Sequence, residues 1–144
     1  MKIELNLQTR DRVFRHSSAG GKFQRIYAFI GDSLIDLYLR HGLVEQSKPL
    51  FEKLEAVDKN MAANAYFMLG NLYFTHKDFA NAEIAYKKSI ELNNKIFQAF
   101  HNLGVVCAAQ NKKADAKIYL EKFLEMAPES DMVPNAKKIL NDIK

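Results

Sequence analysis

The sequence predicts an all-α protein built as a solenoid of helical hairpins, and three observations carry that prediction. Landmark residues recur 34 positions apart: Tyr66 with Phe100, Leu69-Gly70 with Leu103-Gly104, Ala82 with Ala116, and Tyr86 with Leu120. Each period holds two stretches at helical spacing, Tyr66, Leu69, Gly70 and Tyr73 in the first and Ala82, Tyr86 and Ser89 in the second. Each stretch also places a small residue, Gly70 or Ala82, where the two helices would cross closely. A mid-helix glycine costs about 1 kcal/mol relative to alanine, so close packing is the expected compensation. Self-similarity at this period, with two helices per repeat, marks an architecture in which stacked units share a continuous core.

In chain order, a first helix is expected over about Lys22–His41 and its partner over Glu45–Val57, with Pro49 near the partner's first turn, where proline is tolerated. These belong to a weaker copy of the repeat at 28–61, marked by Leu34, Tyr38, Gly42, Phe51 and Leu54. Ile35 stands there in the glycine place and Ser47 in the alanine place, which predicts looser packing; one extra residue, Ala62, precedes the next copy. The second copy, 63–96, gives helices at Ala62–His76 and Phe79–Leu92; the third, 97–130, gives Phe97–Gln110 and Ala114–Met126. Asn93-Asn94 and Ala127-Pro128 supply breaks. A last helix over Met132–Ile143 has Ser130 or Asp131 as candidate N-cap and Pro134 in its first turn. Its narrow apolar stripe of Val133, Ala136, Leu140 and Ile143 reads as a cap, spanning 131–144, over the end of the solenoid.

These landmarks closely resemble the tetratricopeptide repeat family, over roughly residues 28 to 130. The resemblance implies a right-handed solenoid of three repeats, 28–61, 63–96 and 97–130, plus the capping helix, and a non-catalytic scaffold or adaptor. It further implies that the first helix of each repeat lines a concave groove for a peptide or helix of a partner protein. Carried over residue by residue, the groove holds Phe29, Asp32, Ser33, Asp36, Leu39 and Arg40 from the first repeat. The second contributes Asn64, Phe67, Met68, Asn71, Phe74 and Thr75, and the third Gln98, His101, Asn102, Val105, Ala108 and Ala109. Phe67 and Phe74, one helical face and seven residues apart, are expected to form an exposed apolar patch with Met68 and Leu39. The alternative is that the alanine-rich last repeat or the N-terminal tail covers both rings. Asn71 and Asn102 are expected to bond a ligand's main chain. Relatives that grip the carboxylate tail of heat-shock chaperones use a Lys, Asn and Arg clamp; the corresponding places here hold Asp32, Asp36, Met68, Gln98 and Asn102, so that role is not expected.

At 144 residues the chain is long enough for one modest core. Residues 22–144 form the expected repeat domain, and 1–21 a basic segment outside it. Through Arg25 there are six basic residues and two acidic ones, +4, which accounts for the whole formal charge; the repeats are neutral. The sequence pI near 9.1 is therefore not the signature of a basic binding surface on the repeats. The leader reads first as a solvated, partly disordered tail; the alternatives are contact with acidic protein, an anionic membrane or nucleic acid, or self-association through Ile3, Leu5, Leu7, Val13 and Phe14. No apolar run is long enough to span a membrane and no signal-peptide core is present, so the cytoplasm is the simplest compartment. The lone Cys107 leaves no intrachain disulfide and reads as a core residue. Ser17-Ser18-Ala19-Gly20-Gly21-Lys22 fails as a phosphate loop, because His16 replaces the leading glycine and Phe23 the hydroxyl residue after the lysine. The four histidines lack metal-ligand spacing, and Asp32 with Asp36 is one solvated face rather than an acid–base pair. Neither a cofactor nor a metal site is expected. Besides the groove-binding adaptor, two alternatives stay open: a self-assembling unit whose tail or cap enters a neighbour's groove, and a chaperone of the secretion type.

Overall fold

The computed structural model describes residues 33–144. Helix α1 covers 33–40 of that range, followed by α2 (Val44–Val57), α3 (Lys59–Thr75), α4 (Phe79–Leu92), α5 (Phe97–Ala109), α6 (Lys113–Met126) and α7 (Val133–Asp142). All the regular structure among the described residues is helical. The described residues fall into two compact units, one ending at Ala65 and one spanning Tyr66–Lys144. The expected helix over Lys22–His41 lies outside the described residues in its first half.

In the N-terminal unit, Ile35 and Leu39 of α1 are buried, as are Leu50, Phe51 and Leu54 of α2. Both departures from the repeat pattern, Ile35 and Ser47, are fully buried, and the Ser47 hydroxyl donates to the Val44 carbonyl (2.7 Å). Because α2 starts at Val44, Pro49 is the sixth helical residue, one place deeper than the expected start at Glu45 implied. Helix α3 begins at Lys59, three residues before the expected Ala62. The reason is Asp58, whose carboxylate accepts the amides of Asn60 (2.9 Å) and Met61 (3.0 Å) and so satisfies the open first turn.

In the C-terminal unit one buried cluster joins three helices: Ala82 and Tyr86 from α4, Leu103, Val106 and Cys107 from α5, and Ala116 from α6. A second joins Phe100, Leu120, Phe123 and Ala136 from α5, α6 and α7. Helix α7 packs on both α5 and α6, with Val133, Ile139 and Leu140 half-buried against that second cluster. Its start departs from expectation: Met132 is the N-cap and its side chain makes no cap bond, while the Ser130 hydroxyl accepts the Met132 amide at 3.3 Å.

The small residues act differently from the sequence reading, which set Gly70 against Ala82. A Cβ on Gly70 would lie 2.5 Å from Cε1 of Tyr86, and one on Gly104 2.5 Å from Cγ of Leu120. Each glycine thus makes room for the large side chain sixteen positions later, and both large side chains are fully buried.

All three first helices end alike. Gly42, Lys77 and Asn111 adopt φ of 69°, 60° and 60°. The next amide bonds back five residues, Leu43 to Tyr38 (2.9 Å), Asp78 to Tyr73 (2.9 Å) and Lys112 to Cys107 (2.8 Å). That is the Schellman closure, which glycine satisfies without the penalty a Cβ brings to left-handed backbone. Lys77→Gly is therefore expected to raise stability by about 1 kcal/mol, and Asn111→Gly by less, since asparagine tolerates this region. Urea unfolding of each variant against the parent checks both the sign and the order.

Candidate functional site

Hydrogen bonds place the first helices α3, α5 and α7 side by side, and a line of polar side chains runs across them. Tyr86 Oη, reaching in from α4, donates to Asn71 Oδ1 (2.7 Å), which also accepts from Asn102 Nδ2 (3.0 Å). Asn102 Oδ1 meets His101 Nδ1 (3.0 Å), and His101 Nε2 meets Asn135 Oδ1 (3.0 Å) on α7. The imidazole also stands edge-on to Phe123, with ring centroids 5.1 Å apart. Burial pushes the Tyr86 phenol up to about 12, with the Asn102 bond opposing, so the hydroxyl keeps its proton and remains a donor.

This arrangement revises several sequence expectations. Asn71 and Asn102 are held by each other, and Asn71 also by Tyr86. His101 is only 8% exposed and bridges α5 to α7 instead of lining an open face. Phe67 is not an exposed ring: it is half-buried against the cluster around Tyr86, centroids 5.9 Å apart. Phe74 is the exposed member of the pair at 38%, its ring 5.8 Å from Phe79 across the turn. Leu39, expected to border the patch, is buried in the N-terminal unit.

The remaining candidates fall as follows. Met68, Gln98 and Val105 are half-buried and Asn64 is exposed. Thr75 is exposed and returns its hydroxyl to the Asn71 carbonyl (2.8 Å). Asp36, in the N-terminal unit, pairs with Arg40 (2.7 Å). Phe29 and Asp32 lie outside the described residues. Asn135 is the member of the polar line that sequence reading missed. The available signal was its place 34 residues after His101, on a helix read only as a cap.

A second polar constellation was also missed. Glu83 on α4, 7% exposed, accepts from Lys112 Nζ (2.6 Å), Lys87 Nζ (2.6 Å) and Gln110 Nε2 (2.7 Å). Burial works to raise its pKa, but the three donors outweigh burial and hold the carboxyl at about 2. Lys112 and Gln110 sit in the turn between α5 and α6, so Glu83 ties the second repeat to the third. Cys107, fully buried nearby, has its thiol pushed up to about 11, by burial first and then by the charges of Glu83 and Asp115; it is a core residue, not a thiolate. Among the described residues, no group of three or more His, Cys, Asp or Glu side chains is placed to hold a metal ion. No helix of the described residues is long and apolar enough to cross a membrane.

The profile of the tetratricopeptide repeat matches residues 63–96 and 97–130. The sequence matches no curated protein at a significant level. Among 22 matching solved chains is the first tetratricopeptide domain of Spaghetti (RPAP3) bound to the HSP90 peptide SRMEEVD. It aligns at 24% identity and a TM-score of 0.60, over 81% of this chain and 91% of that one, a likeness of fold.

The Glu83 cluster gives a pH test. Its folded pKa lies below the 4.5 of the free group, so its contribution is fully present above about pH 5 and is lost as pH falls toward 2. The stability difference between the parent and Glu83→Gln is expected to be at most about 3 kcal/mol near neutrality and to shrink steadily between pH 5 and 2. Denaturant titrations across that range check it; a difference independent of pH would contradict the assignment.

Proposed function

We propose that this chain, which belongs to the tetratricopeptide repeat family, is a non-catalytic adaptor that receives a peptide or helix of a partner protein on the face formed by α3 and α5. The supporting observation is the pairing of Asn71 with Asn102, with Phe74 and Val105 each three residues further along α3 and α5. Two side-chain amides, held in place by each other and by Tyr86, stand beside an exposed ring and a half-buried valine. Fixed amides flanked by apolar side chains suit main-chain recognition combined with apolar anchoring, since little side-chain freedom remains to be lost on binding. Met68 and Gln98 extend the same face.

The charge of the face separates this reading from that of the structural neighbour. The neighbour's peptide, SRMEEVD, carries two glutamates and ends in an aspartate. The candidate residues Asn64, Phe67, Met68, Asn71, Phe74, Gln98, Asn102 and Val105 include no lysine or arginine. A mainly apolar segment is the matching ligand, and an acidic tail is not.

The test is capture from native lysate by the parent chain and by Phe74→Glu, with excess SRMEEVD peptide as competitor. Phe74 is the clean position, because Phe67→Ala would also loosen the packing on Tyr86. The expected result is a set of proteins lost from the variant, at unchanged helicity, and not displaced by the peptide. Identical sets from parent and variant would remove the α3–α5 face as the binding site. Displacement by the peptide would overturn the apolar assignment.

A further inference from the structure

A different surface lies between the last two helices. An open cleft of about 610 Å³ separates α6 from α7, rimmed by Lys113, Lys117, Lys137 and Lys144 and by one acid, Glu121. Glu121 stands 3.8 Å from Lys117, and Lys144 bonds the Asn141 amide oxygen (3.0 Å). Lys113 and Lys137 have no acidic partner among the described residues. Lys113 is also the first residue of α6, where the positive end of the helix adds to its own charge. The floor is apolar: Ala114, Leu140 and Ile143, the last two half-buried.

The position of the cleft says what shape would fill it. Helix α7 packs on α5 and α6 as the first helix of a further repeat would. In the third repeat, the face that meets the partner helix is Leu103, Gly104 and Cys107, set against Ala116 and Leu120 of α6. Thirty-four residues later the same places on α7 hold Lys137, Lys138 and Asn141. Of these, Lys137 and Asn141 line the cleft. The cleft therefore occupies the place of a partner helix for α7, and its walls carry cations where the other repeats carry apolar side chains.

We infer that the α6–α7 cleft is a second docking site, for an acidic amphipathic helix of a partner protein. The apolar side of that helix covers Leu140, Ile143 and Ala114, and its carboxylates face Lys113, Lys117 and Lys137. Charge complementarity sets the partner class: four lysines against one glutamate disfavour a basic or neutral helix and raise the encounter rate of an acidic one. The site is separate from the α3–α5 face and shares no residue with it.

The probe is a synthetic peptide about as long as α6, with leucines at i, i+3 and i+7 and glutamates at most other places; the control replaces each glutamate with lysine. Amide shifts of the full chain are followed by NMR for the parent and for Lys113→Glu/Lys137→Glu, both exposed positions. The expected result is saturable shifts confined to α6 and α7. Binding should weaken about tenfold or more in the double variant, weaken with added salt, and be absent for the lysine peptide. Shifts confined to the α3–α5 face, equal binding by the double variant, or equal binding of the lysine peptide would overturn the inference. A mass doubling of the chain alone that the double variant abolishes would assign the cleft to a second copy instead.

Discussion

The close crossing of the two helices within each repeat is the constraint on which the rest of the C-terminal unit depends. Gly70 lets the Tyr86 ring lie directly against the α3 backbone, and Gly104 does the same for Leu120 against α5. With Tyr86 seated there, its hydroxyl reaches Asn71, and the polar line through Asn102, His101 and Asn135 starts from that bond. One missing Cβ therefore governs both the packing of a hairpin and the orientation of the amides on the proposed binding face. In the third repeat Leu120 has no hydroxyl to offer, so the crossing is purely apolar, and the neighbouring His101 turns to α7 instead.

Two kinds of joint then link the units of the array. Apolar clusters join α4, α5 and α6, and then α5, α6 and α7. The Glu83 cluster adds a charged tie from α4 to the α5–α6 turn. Its carboxylate is nearly buried but triply bonded, which is the condition under which a buried charge stabilises rather than disrupts. The equivalent place one repeat on is Lys117, which pairs loosely with Glu121 beside the open cleft. At the second repeat the charge is buried and satisfied; at the equivalent place of the third it lines the α6–α7 cleft.

The helices were legible because a 34-residue period fixes their number and approximate bounds, and the shared Schellman closures keep the two best copies in step. Their starts were less legible. Asp58 was passed over as a cap because the repeat register, not the side-chain chemistry, set the expected start of α3; at α7 side-chain chemistry favoured Ser130 or Asp131, and the N-cap is Met132. The site was legible only as a set of positions. Periodicity identifies which side of a helix a residue occupies, but not whether a neighbouring helix has already taken it. Phe67 and Phe74 share a face and differ in fate because Tyr86 lies beside one and a solvent-exposed turn beside the other. Asn71 and Asn102, 31 residues apart, could not be paired without knowing that α3 and α5 are adjacent.

The most direct test of the crossing is a double-mutant cycle of Gly70→Ala with Tyr86→Ala, read by urea unfolding. In the parent, Gly70→Ala drives a methyl into a buried ring, and a loss of about 1–3 kcal/mol is expected. With Tyr86 truncated the ring is gone, only the helical advantage of alanine over glycine remains, and the same substitution is expected to raise stability by about 1 kcal/mol. That reversal of sign would establish the glycine as the seat of the ring. An equal loss in both backgrounds would mean that Gly70 serves the α3 backbone itself, and the crossing would lose its place at the centre of this fold.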